Sequence, residues 1–169
     1  MLYSWRKPAF KDPETGVYNQ IYFIEAFNRE WQKHISKQQG LAILYLRTNM
    51  DETANPTPVL KSFTNIIQNK LKRNSDIVAR NEKGHFTIGI FNVDDLGMKA
   101  VISRVSESIE EMKSQTQRQY NQLFDCRITA GLCTPSENKR SDIFLDKIET
   151  ASDTLVKTTS NQLELVYWQ

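Results

Sequence analysis

Arg73 and Asp76 place a guanidinium and a carboxylate three residues apart, in the segment Leu71-Lys-Arg-Asn-Ser-Asp76. An aspartate can accept the N1 and N2 hydrogens of guanine, while an arginine fork can donate to guanine O6 and N7 or to a phosphate oxygen. Arginine suits this better than lysine, because only its planar fork donates in pairs and also stacks on a base. Of the nine arginines in the chain, Arg73 is the only one with Asp at the third position after it. The same residues have a structural use. Lys70, Lys72 and Arg73 suit the last turn of a helix, Asn74 a left-handed cap, and Asp76 the start of a strand. The two uses are compatible.

A second group with chemical potential is Glu82 with His85. A lone histidine is weak evidence of catalysis, so a plain hairpin tip is the simpler account. Gly84 would then supply a positive φ and His85 would open a strand. Cys126 and Cys133 lie seven apart without CxxC or Cys/His ligand spacing, and His34 and His85 are isolated. That pattern favours neither zinc nor a disulfide framework, and fits reduced cysteines of a cytosolic protein within a β segment.

The elements that must position these groups follow from the patterning. At 169 residues with 39% hydrophobic and 25% charged content, the chain has the length of one domain with a sizeable core. Its 22 basic and 20 acidic residues leave a net charge of +2 with no basic block, so a nucleic-acid polymer is not an expected partner. No apolar run approaches the roughly 20 residues of a membrane span, and no signal peptide opens the chain, so a soluble, cytoplasmic domain is expected.

Asp12-Pro13 and Thr15-Gly16 are turn chemistry, and Asn19 is placed to cap a helix whose apolar stripe reads Ile21, Ile24, Phe27, Trp31 and Ile35, ended by Gly40. The run Leu41-Ala-Ile-Leu-Tyr-Leu46 predicts a central strand covered on both faces. Pro56 and Pro58 mark a break before a second helix over 59–72, with Phe63, Ile66, Ile67 and Leu71 inward. Two short strands, 76–80 and 85–91, form a hairpin around Asn81-Glu-Lys-Gly84. A third helix over 96–113 turns Met98, Ile102, Val105 and Ile109 to one side, and the polar stretch 114–121 predicts a helix end and loop. A strand over 124–133, a helix over 141–157 and a strand over 163–168 complete the order. Trp31 belongs to the core by its spacing, whereas the segment holding Trp5 and Phe10 is expected to pack weakly.

Asp12-Pro-Glu-Thr-Gly-Val-Tyr-Asn19, the hairpin region and Ile128-Thr-Ala-Gly131 together resemble the GGDEF family, the bacterial diguanylate cyclases that join two GTP into cyclic di-GMP. The resemblance runs from residue 12 to the C-terminus. It implies an α/β (α+β) nucleotidyl cyclase-like sandwich over residues 12–169, with a mixed central sheet flanked by helices. Residues 1–11 become an N-terminal lead, of the kind that follows a sensory or membrane segment in family members, so a tether upstream stays open.

Two-metal nucleotidyl transfer needs carboxylates to hold divalent cations. The register of Leu44-Tyr45-Leu46 puts Arg47 where the family has one metal-binding Asp, with Asn49 at the place of a second. Anchored on Phe86, the segment Glu82-Lys83-Gly84-His85-Phe86 aligns with the Gly-Gly-Asp/Glu-Glu-Phe signature, so both glycines and both acids are replaced. Asn55 falls at the guanine-recognising Asn, but the segment expected after it is largely deleted, and the phosphate-binding Lys and Arg align with Thr159 and Leu163. The resemblance therefore implies no catalytic residue, no metal and no cofactor, and a degenerate domain that is not an enzyme.

The resemblance implies, by contrast, that the family's product-binding inhibitory site is kept. Its Arg-x-x-Asp signature stands at the required register before Glu82 as Arg73 to Asp76, and counting eighteen residues on from Phe86 gives Arg104 at the secondary arginine of that site. The expected function is a cyclic di-GMP receptor that binds through Arg73, Asp76 and Arg104 and signals to a protein partner or by self-association. In the family such receptors often control exopolysaccharide or biofilm formation. The alternative is a protein-interaction or dimerisation scaffold that binds no nucleotide.

Overall fold

The computed structural model describes residues 10–50, 56–71, 76–158 and 162–168. In chain order its elements are β1 (Tyr18–Asn19), α1 (Gln20–Lys37), β2 (Leu41–Thr48), α2 (Pro56–Lys70), β3 (Ile77–Arg80), β4 (Phe86–Phe91), α3 (Asp95–Tyr120), β5 (Cys126–Cys133), α4 (Ser141–Thr158) and β6 (Leu163–Trp168). The strands form one mixed sheet in the order β1-β3-β4-β2-β5-β6. β2 runs antiparallel to both β4 and β5, while β1 pairs β3 and β6 pairs β5 in parallel. The expected α/β sandwich is the observed fold.

β2 is buried on both sides because alternate residues enter separate cores. Ala42, Leu44 and Leu46 pack with Phe63 and Ile67 of α2 and Met98, Val105 and Ile109 of α3. Leu41, Ile43 and Tyr45 pack with Phe23, Phe27 and Trp31 of α1 and Phe144 and Ile148 of α4. On this second face Ile43 stands between Gly89 of β4 and Gly131 of β5. A β-carbon on Gly89 would lie 3.1 Å from the Phe91 ring and 3.3 Å from that of Phe23. One on Gly131 would overlap the end of the Ile148 side chain and lie 3.2 Å from Phe144. The two bare positions leave room for an aromatic layer in which Phe27, Trp31, Phe91, Phe144 and Trp168 touch with ring centroids 5.9 to 6.4 Å apart.

Several expectations are corrected in detail. Asn19 does cap α1, its side chain accepting from the Tyr22 amide at 2.9 Å, but the buried stripe is Phe23, Ala26, Phe27, Trp31 and His34. Ile21 and Ile24 are 65% and 48% exposed. The larger aromatic side chains fix the helix's rotation, and they lie about half a turn from Ile21. His34 fills its core place as a hydrogen-bonded residue: Nδ1 donates to the Glu30 carbonyl at 2.6 Å and Nε2 accepts from the Asn92 amide at 3.1 Å.

Gln38, in the left-handed region, caps α1 in place of Gly40. Gly40 serves close approach instead, since its own β-carbon would overlap the Val93 carbonyl. Pro56 and Pro58 sit in the first turn of α2, where a missing N–H leaves no helical bond unmade. α3 continues seven residues past the expected end, because Met112 and Thr116 prolong its buried stripe and Asn121 supplies the left-handed cap. The short strand β1 went unrecognised, and the hairpin's return strand starts at Phe86, one residue later than expected. Trp31 is fully buried; Trp5 and Asn74 lie outside the described residues. No described helix is long and apolar enough to cross a membrane.

Gly131→Ala should destabilise the protein by about 2 kcal/mol through overpacking. Ile148→Val removes the methyl that the new β-carbon meets, so the double variant should be clearly more stable than the sum of the two single losses. Urea melts of the four proteins test this, and strict additivity would show that the overlap is relieved elsewhere.

Candidate functional site

The β3–β4 hairpin closes on Asn81, whose side-chain oxygen accepts from the amides of Lys83 at 3.1 Å and His85 at 3.0 Å. Gly84 has φ 85°, the left-handed conformation expected there. Arg80 locks the base of the hairpin to the chain's first turn. Its Nε donates to the Gly84 carbonyl at 3.3 Å, and its Nη1 meets Asp12 at 3.4 Å and Glu14 at 3.0 Å. Asp12 itself organises that turn by accepting from Thr15 through both amide and hydroxyl.

Arg47 leaves the end of β2 on the α1/α4 face. Its Nε donates to Ser152 Oγ at 3.1 Å and its Nη2 pairs with Asp153, both on α4. On the other side Nη1 lies 3.5 Å from Nε2 of the buried His85, whose Nδ1 is 3.4 Å from the Thr48 amide. Tyr45 packs edge-on against His85 and accepts from Asn81 Nδ2 at 2.8 Å; burial raises its phenol above the ordinary value. Asn49 is committed too: Nδ2 donates to the Leu123 carbonyl at 3.0 Å and Oδ1 accepts from the Asp125 amide at 2.8 Å.

The arrangement gives this end of the sheet a guanidinium, an imidazole and an amide where the family resemblance places acids. A divalent cation does not fit at Arg47, which would repel it and already engages Asp153. The cleft beside it, lined by Glu14, Thr48, Met50, Leu60, Arg80, Lys83 and Gly84, has a volume of about 190 Å³.

Of the three residues expected to bind a guanine dinucleotide, Asp76 and Arg104 are described, and Arg73 lies outside the described residues, as do Asn55 and Thr159. Leu163, aligned with the family's phosphate-binding Arg, opens the last strand. Arg104 projects from α3 and donates through Nε to the Lys70 carbonyl at 3.1 Å, the final residue of α2. A cation at the carboxyl end of a helix meets the negative end of its dipole. Asp76 opens onto a cleft of about 210 Å³ that it shares with Gln68 and Leu71 at the same end of α2. Arg104 does not line that cleft.

Lys11 and Tyr18 complete the Asp76 cleft, and sequence reasoning overlooked both. The Lys11 ammonium lies 4.1 Å from the centre of the Tyr18 ring, which stacks on Tyr22 at 4.0 Å. A basic residue beside the Asp12-Pro13 turn was the available signal, but its proximity to Asp76 depends on β1 pairing with β3. Cys126 and Cys133 are buried free thiols; burial pushes Cys133 up to about 11 and Cys126 higher still.

The family model for "Diguanylate cyclase, GGDEF domain" matches residues 9–162. No curated protein matches the chain by sequence. Among solved structures, the GGDEF domain of DgcB from Caulobacter crescentus in complex with c-di-GMP is similar with a TM-score of 0.73 and 13% identity, over 93% of this chain and 95% of that one. The diguanylate cyclase SiaD from Pseudomonas aeruginosa, in complex with its activator SiaC, is similar at 0.76 and 14% identity, over 98% and 64%. The S helix-GGDEF-EAL portion of LapD from Vibrio cholerae, bound to c-di-GMP, is similar at 0.73 and 14%, over 97% and 38%. At such identities the likeness is one of fold.

Glu149 on α4 provides a pH test of the site. Burial raises its carboxyl above the ordinary value of 4.5, with Lys83 opposing and Asp146 and Asp153 adding to the shift. The folded protein thus holds this proton more tightly than the unfolded chain. The stability it contributes is complete below the unfolded value and is lost as pH rises through the raised folded value. Glu149→Gln stays neutral, so it should raise the melting temperature at pH 7 by about 2 °C and change it little at pH 4. A thermal melt series with the gain at the acidic end instead would contradict the burial.

Proposed function

The chain belongs to the GGDEF family, and from that premise we propose that it is a catalytically inactive member that binds cyclic di-GMP at Arg73, Asp76 and Arg104 and acts as a receptor. The observation that carries the binding reading is the bond from Arg104 to the Lys70 carbonyl. It brings the arginine picked out on the third helix to the end of α2, three residues before Arg73, while Asp76 opens a cleft on the same helix end. The Arg104 guanidinium and the Asp76 carboxylate are groups of the kind that guanines and phosphates engage. DgcB and LapD, of the same fold, are seen with c-di-GMP.

Loss of catalysis is supported by Arg47. Nucleotidyl transfer of the family type needs carboxylates to hold the cations that neutralise the triphosphate. At the aligned place this chain has a guanidinium paired with Asp153 and bonded to Ser152. The domain should accordingly make no cyclic di-GMP from GTP with Mg²⁺ or Mn²⁺, and His85→Glu alone should not restore activity. Chromatographic detection of product above a protein-free control would overturn the inactive reading.

A scaffold that binds no nucleotide is the second reading, favoured by the exposed Ile21 and Ile24 on α1. Titration separates the two. Ligand binding to the folded state alone adds RT ln(1 + [L]/Kd), about 2.7 kcal/mol at a hundredfold excess, which should appear as a rise of several degrees in melting temperature. Arg73→Ala and Asp76→Ala should each abolish the rise, since either leaves its partner's hydrogen bonds unmade. Arg104→Ala should weaken it and Arg47→Ala leave it unchanged, while GTP should give no comparable shift. Absence of calorimetric binding at tens of micromolar cyclic di-GMP, or undiminished binding by Arg73→Ala, would leave the scaffold reading in its place.

A further inference from the structure

β6 closes one end of the sheet, and Glu164 is the one charged side chain on its outer strand. The other end is β1, two residues long and joined to Lys11 by a single bridge. β6 by contrast runs Leu-Glu-Leu-Val-Tyr-Trp, six residues without proline, glycine or lysine. Its register on β5 determines which groups face outward. The Ile128 amide donates to the Gln162 carbonyl at 2.8 Å, and in a parallel ladder this turns the even-numbered residues of β6 toward β5. The N–H and C=O of Leu163, Leu165 and Tyr167 therefore lie on the open edge. Among the described residues nothing bonds to them; Lys139 approaches the Trp168 carbonyl at 3.5 Å, on the β5 side.

We propose that this edge pairs with the β6 edge of a second copy of the chain, antiparallel and with the two-fold axis at Leu165. An isologous antiparallel pair brings residues of like parity opposite each other, since opposed side chains share a face. With Leu165 opposite itself, Leu163 faces Tyr167 of the second copy and every outward N–H meets an outward C=O. Leu163 and Tyr167 are the two exposed members of the strand, at 40% and 45%. This register covers each with the other. It also sets Glu164 opposite Val166, whereas shifting the axis by one residue to Glu164 would oppose two carboxylates. The other even shift, with the axis at Val166, leaves Leu163 without a described partner. A single strand pairing buries less than the roughly 1,600 Å² of a standard interface, so the dimer is weak, with a dissociation constant on the order of tens of micromolar. The contact lies away from Asp76 and Arg104 in the sheet and does not rest on ligand binding.

Sedimentation equilibrium of the 169-residue chain over a concentration series up to hundreds of micromolar tests the pairing. Leu163→Glu and Tyr167→Lys should each weaken dimerisation by about tenfold or more, and combining them should restore it, because glutamate then faces lysine across both halves of the interface. Circular dichroism melts check that each variant stays folded, and hydrogen exchange should show concentration-dependent protection of the Leu163, Leu165 and Tyr167 amides in the unaltered protein. A monomer at every concentration overturns self-pairing and leaves the edge to a strand of another chain. A dimer indifferent to both single substitutions, or one that the combined substitutions fail to restore, overturns it equally.

Discussion

Two missing side chains hold the α1/α4 half of the molecule in shape. Gly89 and Gly131 flank Ile43 across three adjacent strands, and the sheet is locally bare on either side of it. Phe23 and Phe91 settle over one glycine, Ile148 and Phe144 over the other. The spacing of both helices from the sheet follows from these contacts, and so does the position of α4 relative to the end of β2. Arg47 reaches Ser152 and Asp153 on the same helix whose Ile148, one turn earlier, is seated on Gly131. A packing requirement at the middle of the sheet thus sets the electrostatics at its rim.

Contacts between protein groups tie that rim together. Arg47 spans from β2 to α4 and toward the hairpin, Asn49 ties the strand end to residues 123–125, and Arg80 joins the hairpin to the Asp12 turn. Each cation sits between groups from separate segments, so each offsets the loss of chain entropy at a point where several loops meet. Exposed pairs of this kind are worth little individually. Arg47 differs in facing the buried His85, which packs edge-on against the buried Tyr45, so its pair belongs to a network that reaches the core.

The fold was legible where one signal dominated. The continuous apolar run of β2, the Asn19 cap and the Asn81–Gly84 turn are local patterns with a single structural solution. The rotation of α1 was not, because Ile21, Ile24, Phe27, Trp31 and Ile35 form a stripe as regular as the true one, and only the aromatic layer below distinguishes them. The true end of α3 was hidden in polar residues, since Thr116 is buried by tertiary packing that composition does not reveal. Arg104 could be found by counting along a family pattern, yet its bond to Lys70 depends on how α2 and α3 lie together. Lys11 became visible beside Asp76 only through the two-residue pairing of β1 with β3, too short to announce itself in sequence.

The Arg47–Asp153 pair also bears on what mutation can do to this lineage. Replacing Arg47 by aspartate in one step would put a second carboxylate beside Asp153, with the half-buried Glu149 nearby. Like charges at that spacing destabilise, and His85 and Ser152 would lose the donor they now face. An acidic residue at this strand end is therefore unfavourable unless position 153 changes as well. The contact couples the two positions epistatically: which side chain position 47 can hold depends on which one stands at 153.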